Sequence, residues 1–350
     1  MRKILMLVLS IFSILCCTRK PLYLIEDCQV SVNVIVEAEI DSYWNYDWRD
    51  SLKYSWDENE LGKIGYTVPS EAEIIFLSGI DEVKRDKIRV GRRSAVGVDL
   101  NNTYDLIIYN KTETVEESES GYYIYTPEIG GTKITDIGDN YITVSEPGEV
   151  FGTYIRNVTL PDDEKYYEIS EISGKTVYVY NINTVLEPLS YIYLIQFIFV
   201  NDDSTEIEAS GISNFTISGI SSRKNLISGL PEYTGLKQIS SEDVKPGQDI
   251  DGNMVFVSRV TVLGLLPEDS ESSWSSQIDY LYYSNIEVET RTLGKISGTV
   301  DITSQINRNP RGGVVTIRIL NSELKGSAET GDSFGVDVGE WEEHIVDLKF

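Results

Sequence analysis

An all-β fold, arranged as two β-sandwich domains in tandem, is what this sequence predicts, and three observations predict it. Short segments of period-two hydrophobic alternation recur along the chain, each bounded by Gly, Asn, Asp or Pro. Almost no stretch carries the 3.6-residue periodicity of a helix. Leu160-Pro161-Asp162-Asp163-Glu164 interrupts the series, since a proline followed by three acids does not continue a central strand, and fresh alternation begins beyond it. The segments on either side, 29–163 and 164–350, are each an ordinary single-core size.

Taken in order, the chain opens on Arg2 and Lys3, followed by an apolar run from Ile4 to Leu15. Spanning a bilayer needs roughly 20 apolar residues, so this run has the size of a signal-peptide core instead. It stops on Cys16-Cys17. Ile14, Leu15 and Cys16 before Cys17 resemble a bacterial lipobox, with 1–16 as the lipoprotein signal peptide and Cys17 as the acylated residue. Each buried methylene of such an anchor contributes about 0.8 kcal/mol. Residues 17–28 then read as an N-terminal tether. Removing 1–16 deletes Arg2, Lys3 and no acid, which takes the formal charge from −26 to −28.

The first strand is expected over about Val30–Ile40, where Val30, Val32, Val34, Val36 and Ala38 face one way. Further strands are expected at Glu71–Leu77, Ala95–Leu100, Tyr104–Tyr109, Tyr122–Thr126, Asn140–Val144 and Gly152–Leu160. Beyond the break they read at Thr176–Ile182, Tyr191–Val200, Ile207–Ile217, Met254–Gly264, Ile278–Thr290, Gly294–Ile302, Gly313–Leu320 and Phe334–Phe350. Tyr191–Val200 (YIYLIQFIFV) is continuous rather than alternating, the pattern of a strand buried on both faces. One helical turn is expected near Asp301–Ile306, with Asp301 or Thr303 as its cap, and Tyr233–Gly252 reads as a long loop.

Composition narrows the function. The chain has 30 Lys+Arg against 56 Asp+Glu, which argues against nucleic acid as a partner because phosphate binding needs clustered cations. Its one histidine, His344, leaves no histidine pair for a zinc site. No phosphate-binding glycine loop, Cys–His pairing or G-x-S-x-G is present, so no enzyme, cofactor or metal is expected. Asp249-Ile250-Asp251-Gly252-Asn253 departs from a calcium loop in its glycine position and reads as an Asx-type turn.

Two clusters stand out as contact candidates. Trp44, Tyr46 and Trp48 lie among carboxylates in Asp41–Asp50, a composition that suits stacking on sugar rings or anchoring a protein partner, and equally a plug at the end of a sandwich. Lys84, Arg85, Lys87, Arg89, Arg92 and Arg93 place six basic residues within ten in an otherwise acidic chain. That stretch is a candidate contact with an acidic patch on a neighbouring subunit, or a solvated face balancing nearby acids.

Several segments, in order, resemble a known group. They are the lipobox with Cys17-Thr18-Arg19-Lys20-Pro21-Leu22-Tyr23, then Tyr104-Asp105-Leu106-Ile107-Ile108-Tyr109-Asn110. Ala209-Ser210-Gly211-Ile212, Ile217-Ser218-Gly219-Ile220 and Asn225-Leu226-Ile227-Ser228-Gly229 follow. Phe334-Gly335-Val336-Asp337-Val338-Gly339-Glu340-Trp341 closes the series. The ordered set is similar to the fimbrillin-like (Mfa/FimA-type) lipoproteins of Bacteroidales. The resemblance implies transthyretin-like sandwiches, a lipid anchor in the outer membrane facing the cell surface, and a fimbria-like pilus subunit or accessory subunit active in cell adhesion. Its implied partners are other pilus subunits or further copies, joined by β-strand exchange, with a host or bacterial surface as target. It also implies a trypsin-like cut after an Arg beyond the first strand. Arg49 is the only Arg in that loop and therefore the cleavage candidate. A surface glycan-binding lipoprotein using Trp44, Tyr46 and Trp48 as its platform is the alternative expectation.

Overall fold

The structure, a computed structural model, describes residues 28–36, 48–58, 63–99, 102–118, 122–134, 140–161, 164–172, 175–200, 209–265, 283–290, 294–320 and 334–336. Cys17, Trp44, Tyr46, His344 and the expected strand beyond Val336 lie outside the described residues. Within them the chain is all-β apart from short helical turns.

The strands run in chain order as follows. The first five are β1 (Cys28–Val36), β2 (Glu71–Ser78), β3 (Asp81–Arg89), β4 (Arg93–Gly97) and β5 (Thr103–Tyr109). Next come β6 (Glu116–Glu117), β7 (Tyr123–Tyr125), β8 (Glu128–Ile134), β9 (Asn140–Val144) and β10 (Phe151–Thr159). Then follow β11 (Glu168–Ile172), β12 (Lys175–Pro188), β13 (Tyr191–Val200), β14 (Ala209–Ile220), β15 (Arg223–Asn225) and β16 (Pro231–Glu232). The remainder are β17 (Lys237–Ser241), β18 (Lys245–Gln248), β19 (Met254–Val262), β20 (Tyr283–Thr290), β21 (Gly294–Asp301), β22 (Gly313–Leu320) and β23 (Phe334–Val336). Two short helices accompany them, α1 (Trp48–Ser51) and α2 (Thr303–Arg308).

The first sheet is ordered β3-β2-β5-β10-β12-β1-β4, with β11 also on β12. Its β10–β12 contact is only the two pairs Phe151↔Pro188 and Gly152↔Glu187, so the sheet turns a corner there. Its two ends meet, because the turn after Arg89 leads straight into β4 and the Arg89 N–H donates to Ser94 Oγ at 2.8 Å. Folded over in this way, it shares one core: Ile74 and Phe76 of β2, Leu106 and Ile108 of β5, Val96 of β4, Ile182 and Leu186 of β12. Phe76 meets the Tyr104 ring edge-on with centroids 5.6 Å apart.

A second sheet, β18-β19-β13-β22, faces a third, β23-β21-β20-β14-β17-β9-β8. Tyr193, Ile195, Phe197 and Phe199 of β13 pack with Phe215 and Ile217 of β14 and Ile317 of β22. The alternate residues Ile192, Leu194 and Ile198 turn the other way, into the core of the first sheet. That double burial is why the Tyr191–Val200 run is apolar apart from Gln196. A small fourth sheet is ordered β16-β15-β7-β6.

The structure corrects one expectation and adds to others. The supposed loop Tyr233–Gly252 contains β17 and β18. The basic stretch spans the second half of β3, the turn after it and the first residue of β4, and β3 is a strand absent from the sequence reading. Sheet membership also does not follow chain order: β10 joins β12, β7 joins β15 and β9 joins β17, each pair bridging residue 163. Two local expectations held. Asp249 forms the Asx turn, its Oδ1 accepting the N–H of Asp251 at 2.9 Å and of Asn253 at 2.8 Å. The helical turn near Asp301–Ile306 also forms, as α2, with a correction to its cap: the N-cap is Ile302, with no side-chain cap bond, rather than Asp301 or Thr303, and Asp301 Oδ1 accepts the Thr303 N–H at 2.8 Å.

Candidate functional site

β1 is held on both edges by distant parts of the chain. It runs parallel to β12 over all nine residues, from Cys28↔Tyr178 to Val36↔Leu186. On its other side it runs antiparallel to β4, from Gln29↔Gly97 to Asn33↔Arg93. The strand fills a slot between these neighbours, and no hairpin joins it to either. Residues 37–47 lie outside the described set, and the chain resumes in α1.

In α1 the Leu52 N–H donates to the Trp48 carbonyl at 2.8 Å, which closes one helical turn around Arg49. Arg49 is exposed, with its guanidinium carbon 5.1 Å from the Trp48 ring centroid. Trp48, Tyr54 and Trp56 are half-buried and pack inward onto the core of the first sheet. Directly beyond α1 the backbone is clamped by Gln196 of β13, a fully buried amide. Its Oε1 accepts the Lys53 N–H at 2.9 Å, and its Nε2 donates to the Ser51 carbonyl at 2.8 Å and to Thr316 Oγ1 at 2.6 Å. Tyr54 then crosses the β18 edge, its hydroxyl donating to the Pro246 carbonyl at 3.2 Å. The ring lies so close to Gly247 that a Cβ there would stand 1.8 Å from Tyr54 Cε2.

The six basic candidates spread over β3, the following turn and β4, and much of their charge is answered within the molecule. Arg85 reaches Glu82 at 2.9 Å, Glu73 at 3.0 Å and Glu117 at 2.8 Å. Its hydrogen bonds hold the Glu82 carboxyl below the usual range, and those acids raise the guanidinium in return. Lys84 meets Asp86 at 3.9 Å, and Arg93 meets Glu168 at 3.5 Å. Lys87, Arg89 and Arg92 are exposed.

Two polar features escaped the sequence reading. One is an open depression of about 490 Å³ lined by Thr67, Asn110, Thr112, Glu146, Glu149 and Arg259 among others. Arg259 and Glu149 form an ion pair at 2.6 Å, and Glu146 accepts the Thr261 N–H and hydroxyl, each at 3.0 Å. Burial raises the Glu146 carboxyl despite those bonds. The other is Lys224, a fully buried lysine in β15. Its ammonium donates to the Leu189 carbonyl at 2.5 Å and lies 4.2 Å from the Tyr191 ring centroid. No local pattern announces these groups, because their partners lie in other strands.

No family model matches the chain, and no curated protein matches it. Solved structures do. One is a candidate adhesin from Bacteroides ovatus ATCC 8483, with 15% identity and a TM-score of 0.46 over 87% of this chain and 96% of that one. Another is the fimbrial anchor protein Mfa2 from Porphyromonas gingivalis, with 8% identity and a TM-score of 0.41 over 83% and 90%. A third is described as candidate polysaccharide-binding proteins from Bacteroides thetaiotaomicron VPI-5482, with 8% identity and a TM-score of 0.40 over 84% and 91%. At such identities and TM-scores the likeness assigns no role to the chain.

Proposed function

We propose that this chain is an exported structural and adhesion protein, a fimbria-like pilus subunit or accessory subunit that assembles by exchange of β1. The observation that carries the reading is the seating of β1, a nine-residue strand zipped between β12 and β4. Each backbone hydrogen bond contributes a net ~0.5–1.5 kcal/mol, so the row is substantial, yet it is made almost wholly of main-chain groups. Any strand of matching alternation from another subunit re-forms the same row, which is β-augmentation.

In this reading Arg49 is the release point. A trypsin-like protease cutting there separates β1 from the rest, while Gln196 keeps hold of Ser51 and Lys53. Cys17 carries the lipid that tethers the uncut chain to the outer membrane, facing the cell surface. The chain performs no chemistry of its own. Trp48 turns inward onto the core, so it lends no support to a sugar-stacking platform.

The test is to incubate the chain lacking residues 1–16 with a trypsin-like protease, sequence the new N-terminus and follow light scattering. A terminus at Asp50 together with polymer is the expected result. No cut after Arg49, or a cut with the product staying monomeric, overturns the reading.

A further inference from the structure

The polar depression beside β19 is built from side chains that the fold holds in place without using all their bonds. Arg259 and Thr261, two residues apart on a strand, come to it from one face of β19. Glu146-Pro147-Gly148-Glu149, between β9 and β10, sets two carboxylates beside them. Gly148 takes the left-handed backbone, at φ 68°, between the two acids. The segment after β5 fixes that loop. The Asn110 side chain donates to the Glu149 carbonyl at 2.9 Å, and the Thr112 hydroxyl donates to the Pro147 carbonyl at 2.6 Å. The site is therefore preorganised.

Arg259 engages Nε with the Ile64 carbonyl at 3.2 Å, and Nη2 with the Gly65 carbonyl at 3.3 Å and Glu149 Oε1 at 2.6 Å. Its Nη1 bonds to nothing among the described residues. Glu149 Oε2 accepts the Thr67 N–H. Glu146 Oε2 accepts both the N–H and the hydroxyl of Thr261, while its Oε1 accepts from none of the described residues. A guanidinium nitrogen with two N–H groups and a carboxylate oxygen thus remain in one depression, each able to make a charge-assisted bond. A half-buried carboxylate with acceptors unused costs stability, a departure from the usual rule of the kind that marks functional sites.

The charges select the ligand. An anion, or the carboxylate end of a zwitterion, would have to displace Glu149 from Arg259. An ammonium ion would answer Glu146 and leave Arg259 unanswered. Hydroxyl groups carry no charge, accept from Nη1 and donate to Oε1. Thr112 and Thr114, whose hydroxyls stand 3.5 Å apart, line the same depression and extend the row of partners. About 490 Å³ is in the range of small-molecule sites and has room for a pyranose ring. We propose that this depression binds a neutral saccharide, with Arg259 Nη1 and Glu146 Oε1 holding neighbouring hydroxyls of one ring. Binding here does not require exchange of β1.

The experiment uses the chain lacking residues 1–16. Saturation-transfer NMR reads binding of the methyl glycosides of glucose, galactose, mannose and N-acetylglucosamine, each at up to about 50 mM, enough to fill a millimolar site. At least one is expected to bind, and to shift the amides of Thr67 and Thr261, which donate to the two carboxylates. In Glu146→Gln the amide oxygen must face Thr261, which leaves an NH2 group where Oε1 stood, so affinity is expected to fall at least ten-fold. No binding by any of these glycosides overturns the proposal, as does binding that moves neither amide or that Glu146→Gln weakens less than ten-fold. Should that variant fail to fold, the two amides of the parent decide.

Discussion

Lys224 is the residue whose chemistry departs furthest from that of its free side chain. Its ammonium has one carbonyl and one ring face for company, and no ion pair to it is seen among the described residues. Burial pushes its pKa down to about 7, with the positive charge of Arg311 acting in the same direction. In the unfolded chain the same group titrates near ~10.4. Between those values the unfolded state binds the extra proton, so stability rises with pH across the window, and it is lost as pH falls towards 7. The slope approaches ~1.4 kcal/mol per pH unit for this one group. Lys224→Met keeps the length and removes the charge. Urea unfolding at about pH 7, 8 and 9 should show the parent gaining stability relative to the variant at each step, with the variant the more stable at the lowest pH by a few kcal/mol. Parallel profiles for the two proteins would show that the lysine is not buried as described.

At the scale of elements, the sequence announces what is periodic and hides what is paired at a distance. The ten residues of β13, nine of them apolar, could be read as a doubly buried strand because burial leaves its mark in composition. The strands β17 and β18 could not, since one carries mostly polar residues and the other a Pro and a Gly. Nothing local to β13 explains Gln196, whose partners Ser51 and Lys53 lie more than 140 positions earlier. The same holds for Gly247, where turn chemistry is not the reason for glycine: the Tyr54 ring occupies the space of a Cβ. Gly247→Ala should therefore cost on the order of 1–3 kcal/mol by overpacking. In a Tyr54→Ala background the same substitution should cost little, because the ring it collides with is gone. Thermal unfolding of the four proteins of that cycle measures the coupling. Equal costs in both backgrounds would place the ring elsewhere.

For the whole molecule, the question is how a chain of formal charge −26 meets its own copies. The basic stretch offered an answer from sequence, a positive patch to set against a negative one. In the folded chain Arg85 is enclosed by three carboxylates, Lys84 sits by Asp86 and Arg93 by Glu168, so the patch a neighbour meets is smaller than the residue count. In the proposed assembly like-charge repulsion then dominates the approach, and the backbone row of β1 would supply the attraction at short range. A direct consequence is that salt helps. A chain beginning at Asp50 lacks β1 and opens the edges of β12 and β4; mixed with a peptide of sequence 28–36, it should form a one-to-one complex, by co-refolding where the truncated chain does not fold alone. The same peptide with Val32→Pro should fail, since one N–H in the middle of the row is lost. Assembly of protease-treated full chain should then speed up as ionic strength rises from about 0.01 to 0.15 M, over which the screening length falls from ~30 to ~8 Å. Docking by the basic stretch requires the opposite trend, a rate that falls with salt, and light scattering at the two ionic strengths separates them. Lys87→Glu and Arg89→Glu, on exposed positions of β3, should change that rate little if repulsion governs, and should slow it several-fold if the stretch is the docking surface.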